Sequence, residues 1–158
     1  RCGWMCLSGP KQNAKSYIQG VNLLSSMRLC SNVPAQSIIQ TALGGIQSAD
    51  ELLLPGGRLF EQREVIYNEL SAIDGISVVK PDAAFYIFPK IDTQKIHINN
   101  DEKFAMDLLK KKYVLISHGT GFNMPEPGYF RIVYLPDKEI LHEACVRLGS
   151  FLQTYSQF

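Results

Sequence analysis

Apolar residues recur at three- and four-residue spacing in five stretches of the chain, the spacing typical of amphipathic helices. Glycine, proline, serine or asparagine stands at the ends of most of these stretches, as expected at helix boundaries. The pattern predicts helices over 10–29, 33–44, 57–73, 101–112 and 136–152. Short apolar runs between turn residues predict strands over 3–7, 76–79, 84–88, 113–117 and 129–135.

From residue 57 onward the predicted order is helix, strand, strand, helix, strand, strand, helix. Two hairpin-like strand pairs, each beside a helix, indicate an α+β (α/β) fold in which helices cover a small mixed or largely antiparallel sheet. The first 45 residues predict one strand and two helices, which do not complete that sheet. We expect them to belong to a neighbouring unit.

Charge and composition exclude several classes of protein. The 158 residues carry 16 Lys and Arg against 15 Asp and Glu, a net charge of +1 that gives no footprint for nucleic acid. No apolar run approaches the roughly 20 residues of a membrane span, and no charged-then-apolar leader opens the chain. The chain begins at Arg1 without an initiator methionine and inside a predicted strand, so we interpret it as a piece of a longer protein.

The four cysteines and three histidines form no cluster with the spacing of metal ligands. Free cysteine is among the most buried residue types, which favours buried thiols in a reducing compartment. The cytoplasm is therefore the expected location.

Arg131 is the candidate site residue that composition alone offers. It lies in the predicted strand over 129–135, where alternation places it on one face with Tyr129 and Val133. An unpaired buried charge is costly, so the guanidinium needs an anionic partner. That partner is either an internal Asp or Glu, which the pattern alone favours, or the carboxylate of a substrate.

Other polar and aromatic positions have simpler interpretations. The loop over 117–123 contains glycines but no following Lys-Ser or Lys-Thr, so it is not a P-loop. His118 has the chemistry of a general base, but no serine, cysteine or aspartate at informative spacing supports a catalytic triad. The aromatic residues of 84–88 are expected to pack in the core and in the hairpin.

Four motifs in register give the sequence a resemblance to a known family. They are Arg1-x-Gly3-Trp4 with Gly9-Pro10, then Ser31-Asn32-Val33-Pro34-Ala35-Gln36, then Pro81-x-x-Ala84-Phe85-Tyr86-x-Phe88-Pro89, then Gly119-Thr120-x-Phe122-Asn123 with Arg131-Ile132. Together they resemble the carboxy-terminal part of class I pyridoxal-phosphate aminotransferases. The stretches over 35–45 and 131–136 resemble the bacterial alanine aminotransferase branch most closely.

The resemblance implies roles for two residues. Arg1 matches the family arginine that binds the cofactor phosphate, and Arg131 matches the arginine that binds the substrate α-carboxylate. The Schiff-base lysine would lie just upstream of residue 1, so no catalytic residue of the family is implied within this chain. The chain alone is expected to be inactive. No metal site is implied.

The resemblance also implies a domain organisation and an activity. Residues 1–50 would be the end of the large domain that binds pyridoxal 5'-phosphate, and 51–158 the small carboxy-terminal domain of this fold-type I family, with 57–73 as a linking helix. The parent would be a homodimer that converts alanine and 2-oxoglutarate to pyruvate and glutamate, with an amino acid and a 2-oxo acid as its ligands and neither nucleic acid nor membrane as a partner.

Three alternatives stay open. The substrate could be aspartate, an aromatic amino acid or a branched-chain one such as valine, since all share the same α-carboxylate. The parent could instead be a transcription regulator with an aminotransferase-like sensing domain, or the chain a free-standing structural domain. Two departures from the family pattern, Ala83 where glycine is common and His118 where proline is common, leave the hairpin backbone and the substrate preference open.

Overall fold

The computed structural model describes residues 2–158, which form two compact units. One ends at Ser48 and the other comprises Ala49–Phe158. Each unit is described by itself. The assignment of 1–50 to a large domain and 51–158 to a small one remains a prediction.

The first unit contains three helices: α1 (Lys15–Arg28), α2 (Val33–Ser37) and α3 (Ile39–Gly44). Asn32 caps α2, since its side chain accepts a hydrogen bond from the backbone N–H of Ala35 at 3.3 Å. The single helix predicted over 33–44 is interrupted at Ile38, where ψ is −2°. A backbone ψ near zero departs from the helical value and separates α2 from α3.

Two sequence predictions for this unit were wrong. Residues 3–7 form no strand, because no other described segment pairs with their backbone. Three of the four cysteines, Cys2, Cys6 and Cys30, are exposed, and only Cys145 is buried. The prediction of buried thiols failed for these three because no side chain within 2–48 is buried.

The second unit contains five helices. Three are long and lie where the sequence predicted them: α5 (Arg58–Ser71), α7 (Asp101–Lys112) and α8 (Lys138–Leu152). The short helices α4 (Asp50–Leu53) and α6 (Thr93–Ile96) were not predicted. Over the described part of the chain, no helix combines the length and the apolar content that crossing a membrane requires.

Five short strands form two antiparallel sheets. β1 (Ile76–Ser77) pairs with β3 (Lys90–Ile91). In the other sheet β5 (Phe130–Val133) lies between β2 (Tyr86–Ile87) and β4 (Ser117–His118).

The antiparallel sheet beside helices confirms the predicted fold class, but the strands are shorter than predicted. The run over 113–117 enters the sheet only at Ser117. Tyr113 still ends α7 in a left-handed conformation, and on this side of β5 the pairing is limited to Ser117 and His118. The pair Lys90–Ile91 was not predicted as a strand.

The core lies between the sheet and the three long helices. Each contributes buried apolar side chains, including Ile66 and Leu70 from α5, Phe104 and Leu108 from α7, and Leu148 from α8. From the sheet, Ile87 and Phe130 are each 1% exposed. Neighbouring residues on a strand point to opposite faces. Since Phe130 points into the core, Arg131 points to the face away from the core.

Candidate functional site

Arg131 lies in the central strand of the three-stranded sheet, and its flanking residues fix its direction. The register pairs Tyr86 with Val133 and Ser117 with Arg131. Opposed residues of an antiparallel pair project from the same face. Val133 and Arg131 are two residues apart on β5 and so lie on the same face. That face, which is opposite the core, therefore also carries Tyr86.

Two aromatic rings flank the guanidinium. Its Cζ atom lies 4.5 Å from the centroid of Tyr86 and 4.3 Å from the centroid of Phe122. Both distances are within the range of cation–π contact, which contributes about 0.5–2 kcal/mol according to how far the pair is desolvated. We refer to Arg131 with these two rings as the arginine slot.

The guanidinium in the slot has no anionic partner among residues 2–158. The salt bridges of the described residues involve other groups. The Nε atom of Arg131 is buried and makes no hydrogen bond. A buried donor left unpaired is costly. The internal ion pair that the sequence pattern alone favoured is therefore not found, and the slot is chemically suited to an incoming carboxylate.

Further aromatic and charged groups border the slot. Phe88 contacts Phe122 edge-on at 5.9 Å between centroids and stacks on Tyr129 at 6.0 Å. The Lys90 ammonium lies 5.1 Å from the Tyr129 ring centroid. The Tyr129 side chain, and to a smaller extent the Glu126 carboxylate 3.8 Å away, raise the pKa of Lys90 above its usual value. Lys90 therefore stays protonated and adds a positive charge beside Tyr129.

The end of β5 is fastened to α5. The buried Gln62 amide donates hydrogen bonds to the carbonyls of Leu135 and Pro136, at 3.1 and 2.6 Å. Arg58 also donates to the Leu135 carbonyl, at 3.1 Å. These bonds hold the residues that directly follow the Arg131 strand against α5.

The backbone before β2 is also fastened to β5. The Tyr134 hydroxyl donates to the Ala84 carbonyl at 2.8 Å, and burial raises the pKa of that tyrosine. Ala84 has φ +62°, whereas Ala83, where the family often has glycine, does not have a positive φ. The left-handed conformation costs a residue with a Cβ about 1 kcal/mol or more. The Tyr134 bond helps to hold it.

His118 caps the turn that follows β4. Its Nδ1 accepts a hydrogen bond from the backbone N–H of Gly121 at 3.1 Å and lies 2.9 Å from Thr120 Oγ1. The 3₁₀ turn over Gly119–Phe122 then brings Phe122 to the slot. The contacts of His118 are those of a turn-stabilising residue.

The other site residue that the sequence proposed, Arg1, lies outside the described residues. The residues that follow it line a cleft of about 470 Å³ in the first unit, formed by Cys2, Gly3, Arg28, Ser31, Asn32 and Gln36. A guanidinium with neutral hydroxyl and amide groups suits the phosphate end of a cofactor. Neither lysine nor a carboxylate is among these lining residues.

Within 2–158, no three His, Cys, Asp or Glu residues group as a metal ion would require.

Comparison with known proteins decides the family. The family described as "Aminotransferase class I and II" matches residues 1–148 of this chain. The chain belongs to that family. The fold-class prediction and the resemblance to class I aminotransferases are both confirmed.

Two curated aminotransferases that match 99% of this chain carry alanine or pyruvate in their names. The glutamate-pyruvate aminotransferase AlaA of Haemophilus influenzae is 55% identical over 157 residues, 99% of this chain and 39% of that protein. An alanine aminotransferase of Mycobacterium tuberculosis is 50% identical over the same share of this chain and 37% of its own length. The chain thus spans less than two fifths of these relatives.

Solved aminotransferase structures share the fold. An Escherichia coli aminotransferase has a TM-score of 0.83 and 48% identity, over 96% of this chain and 37% of that one. The alanine aminotransferase of Pyrococcus furiosus has a TM-score of 0.72 and 37% identity, over 91% and 36%.

Sequence reasoning found the central residue of this candidate site but not its neighbours. Alternation placed Arg131 on one strand face. The two rings that flank it were missed. The aromatic residues of 84–88 were assigned to core and hairpin packing, whereas Tyr86 is 44% exposed, and the loop over 117–123, which contains Phe122, was assigned no chemistry from its residues. The i, i+2 spacing of Tyr86 and Phe88 was the available signal that both lie on one face of their strand.

Proposed function

We propose that this chain is the carboxy-terminal part of an aminotransferase that moves an amino group between alanine and 2-oxoglutarate, with pyridoxal 5'-phosphate as its cofactor. The names of the relatives that match 99% of the chain support alanine as the donor. An aspartate aminotransferase of Pyrococcus horikoshii matches less well, at 38% identity over 59% of the chain.

The arginine slot carries this proposal. A guanidinium that contacts two rings and has no salt bridge among residues 2–158 can donate two parallel hydrogen bonds to a substrate carboxylate. Such a bidentate pair fixes both the position and the plane of the carboxylate. The substrate Cα is then held in one orientation, which is how positioning lowers the barrier of the chemical step.

The slot also limits the motion of Arg131 itself. The rings of Tyr86 and Phe122 both contact the guanidinium and restrict it, so fewer side-chain conformations are lost when a carboxylate binds. The surrounding rings exclude water from part of the guanidinium and thereby strengthen its attraction for an anion.

Pyridoxal phosphate, when bound, delocalises the electron pair left at the substrate Cα when its proton departs. Arg1 would hold the cofactor phosphate, and the lysine that moves the proton would precede residue 1. The chain alone is therefore proposed to be inactive.

The remaining assignments follow from the same proposal. Residues 1–50 would belong to the large cofactor-binding domain and 51–158 to the small domain. The assignment of 1–50 to the large domain is supported by exposed apolar side chains of the first unit. Examples are Leu29, which is 91% exposed, and Ile46, which is 99% exposed. The parent is proposed to be a cytoplasmic homodimer.

The test is Arg131→Leu in the full-length protein. The variant removes the carboxylate partner but leaves the cofactor residues in place. Losing a charge-assisted bidentate pair costs about 3 kcal/mol, so kcat/KM for alanine should fall roughly 100- to 1,000-fold. The absorbance spectrum of the bound cofactor should stay unchanged.

Arg147→Leu is the matched control. That guanidinium pairs with Glu143 on the same helix at 2.8 Å and lies outside the slot, so kcat/KM should change by less than about twofold. Unaltered alanine turnover in Arg131→Leu would show that the slot does not bind substrate.

A further inference from the structure

Asp101, the first residue of α7, is a buried acidic residue away from the arginine slot. It is 3% exposed, and no Lys, Arg or His within 2–158 forms a salt bridge with it. Instead, both of its oxygens accept hydrogen bonds from Thr120. The backbone N–H donates at 2.8 Å and the hydroxyl at 2.8 Å. The start of a helix also favours a negative charge there.

Thr120 belongs to the 3₁₀ turn that follows β4, so Asp101 fastens that turn to α7. The first residue of the turn, Gly119, is fastened to Tyr129, which directly precedes β5. The Gly119 N–H donates to the Tyr129 carbonyl at 2.7 Å. A Cβ at Gly119 would come within 2.6 Å of the Tyr129 Cβ, so the two backbones meet closely. The turn is thus held from both sides.

The held turn presents Phe122 to Arg131. Phe122 lies two residues after Thr120, and its ring centroid is 4.3 Å from the guanidinium carbon. The ring itself is 42% exposed, so the core does not fix its position. Its remaining described aromatic contact is the edge of Phe88. The Asp101–Thr120 bonds are therefore the side-chain contacts that fasten the turn carrying Phe122 to α7, beside the His118 cap within the turn and the Gly119–Tyr129 backbone bond.

We propose that Asp101 is a positioning residue for the substrate-carboxylate site: through Thr120 it holds Phe122 against Arg131 and so keeps the guanidinium ordered before substrate arrives. This rests on the proposed function of Arg131. The free energy of ordering a long side chain is then provided by folding rather than by substrate binding. The consequence is tighter substrate binding with little effect on the chemical step.

The first experiment measures the slot directly in the 158-residue chain by NMR. The guanidinium contacts two aromatic rings, so ring currents should displace the chemical shift of the Arg131 Nε–H from its ordinary value. Phe122→Leu removes one ring and calibrates the displacement. Asp101→Asn and Thr120→Val should each move the resonance at least half of the way toward its position in Phe122→Leu. Glu102→Gln, an equal loss of charge one residue along the same helix turn, should leave it in place.

Dispersed methyl signals of Ile87 and Leu108 report in the same spectra that the core is folded. If both test variants keep these signals and leave the Arg131 resonance unmoved, the proposal is overturned. If both lose them, it is also overturned, because the anchor would then hold the core rather than the turn. If Asp101→Asn alone unfolds, Thr120→Val decides by the same resonance.

The second experiment separates this proposal from the proposed function. In the full-length protein, Asp101→Asn should raise KM for the amino acid about tenfold with kcat changed less than about twofold, a pattern expected when uniform binding is lost. An unchanged KM, or an equal fall in kcat, overturns the positioning role. If the resonance moves but Arg131→Leu leaves turnover intact, the geometry stands and the substrate assignment fails.

Discussion

Cys145 faces the core from α8, where 3% of its surface is exposed. Desolvation, with a smaller contribution from the nearby Glu69 carboxylate, raises the pKa of its thiol to about 12. Since the thiolate is the reactive form, about one molecule in ten thousand is reactive at pH 8. Cys2, Cys6 and Cys30 are exposed and have no such protection.

At pH 8 the native 158-residue chain should therefore react with a water-soluble aromatic disulfide in two phases. Three thiols should react within minutes and the fourth only after denaturant is added, as measured by the absorbance of the released thiolate. Cys145→Ala should abolish only the slow phase, and Cys30→Ala should reduce the fast phase by one thiol. Four fast thiols in the native chain would contradict the buried position of Cys145.

The residues before α7 are held by the end of the chain. The Gln157 side-chain oxygen accepts hydrogen bonds from the backbone N–H groups of Asn99 and Asn100, at 2.8 and 2.9 Å. Its amide nitrogen donates to the Asn100 carbonyl at 2.7 Å. One side chain thus satisfies three backbone groups where α7 begins, the helix that also supplies Asp101.

Gln157→Ala should lower the free energy of unfolding by about 2 kcal/mol, since several partly exposed hydrogen bonds, each contributing roughly 0.5–1.5 kcal/mol, are lost together. The free energy of unfolding is measured by urea titration monitored with circular dichroism. Gln157→Glu keeps the two accepting bonds and should lose less than half as much. Gln153→Ala, an exposed glutamine at the end of α8, serves as the control and should change stability by under about 0.5 kcal/mol. Equal losses in both alanine variants would remove the role given to Gln157.

Among the secondary-structure elements, the sequence predicted the long helices, because a helix depends on the spacing of apolar residues within one segment. Helices α5, α7 and α8 were found because an apolar stripe repeats within each of them. Strands depend on a partner elsewhere in the chain, and the local pattern does not contain that partner. The run over 3–7 has strand composition but no partner among the described segments, whereas Lys90–Ile91 pairs with β1 although its own sequence gives little signal.

The same distinction applies to the candidate site. Strand alternation and the motif around Arg131 identify the guanidinium from adjacent residues. The ring of Phe122 reaches it from a turn, and Asp101 holds that turn from a helix nineteen residues before Thr120. From the sequence, Asp101 is only the first residue of the helix predicted over 101–112. Its bonds to Thr120 are long-range contacts, and only the folded backbone reveals them.

For the whole molecule, burial is confined to one of the two units. The buried apolar residues, from Leu59 to Tyr155, belong to 49–158, and within 2–48 no side chain is buried. Because apolar burial is the dominant favourable term in folding, cooperative stability should reside in 49–158. In the 158-residue chain, residues 2–48 should open at a much smaller free energy than that unit.

Limited trypsin digestion followed by intact-mass measurement tests this division. Cleavage should come first after Lys11, Lys15 or Arg28, while Arg63, Arg131 and Arg147 stay protected. Leu70→Ala empties a fully buried position and should cost about 2–5 kcal/mol, exposing the protected sites to the protease. Leu24→Ala removes the same atoms from a side chain that is 69% exposed and should change neither the unfolding free energy nor the protection of those three arginines. Early cleavage at Arg63 in the unsubstituted chain would show instead that the buried cluster of 49–158 does not form an independently stable core.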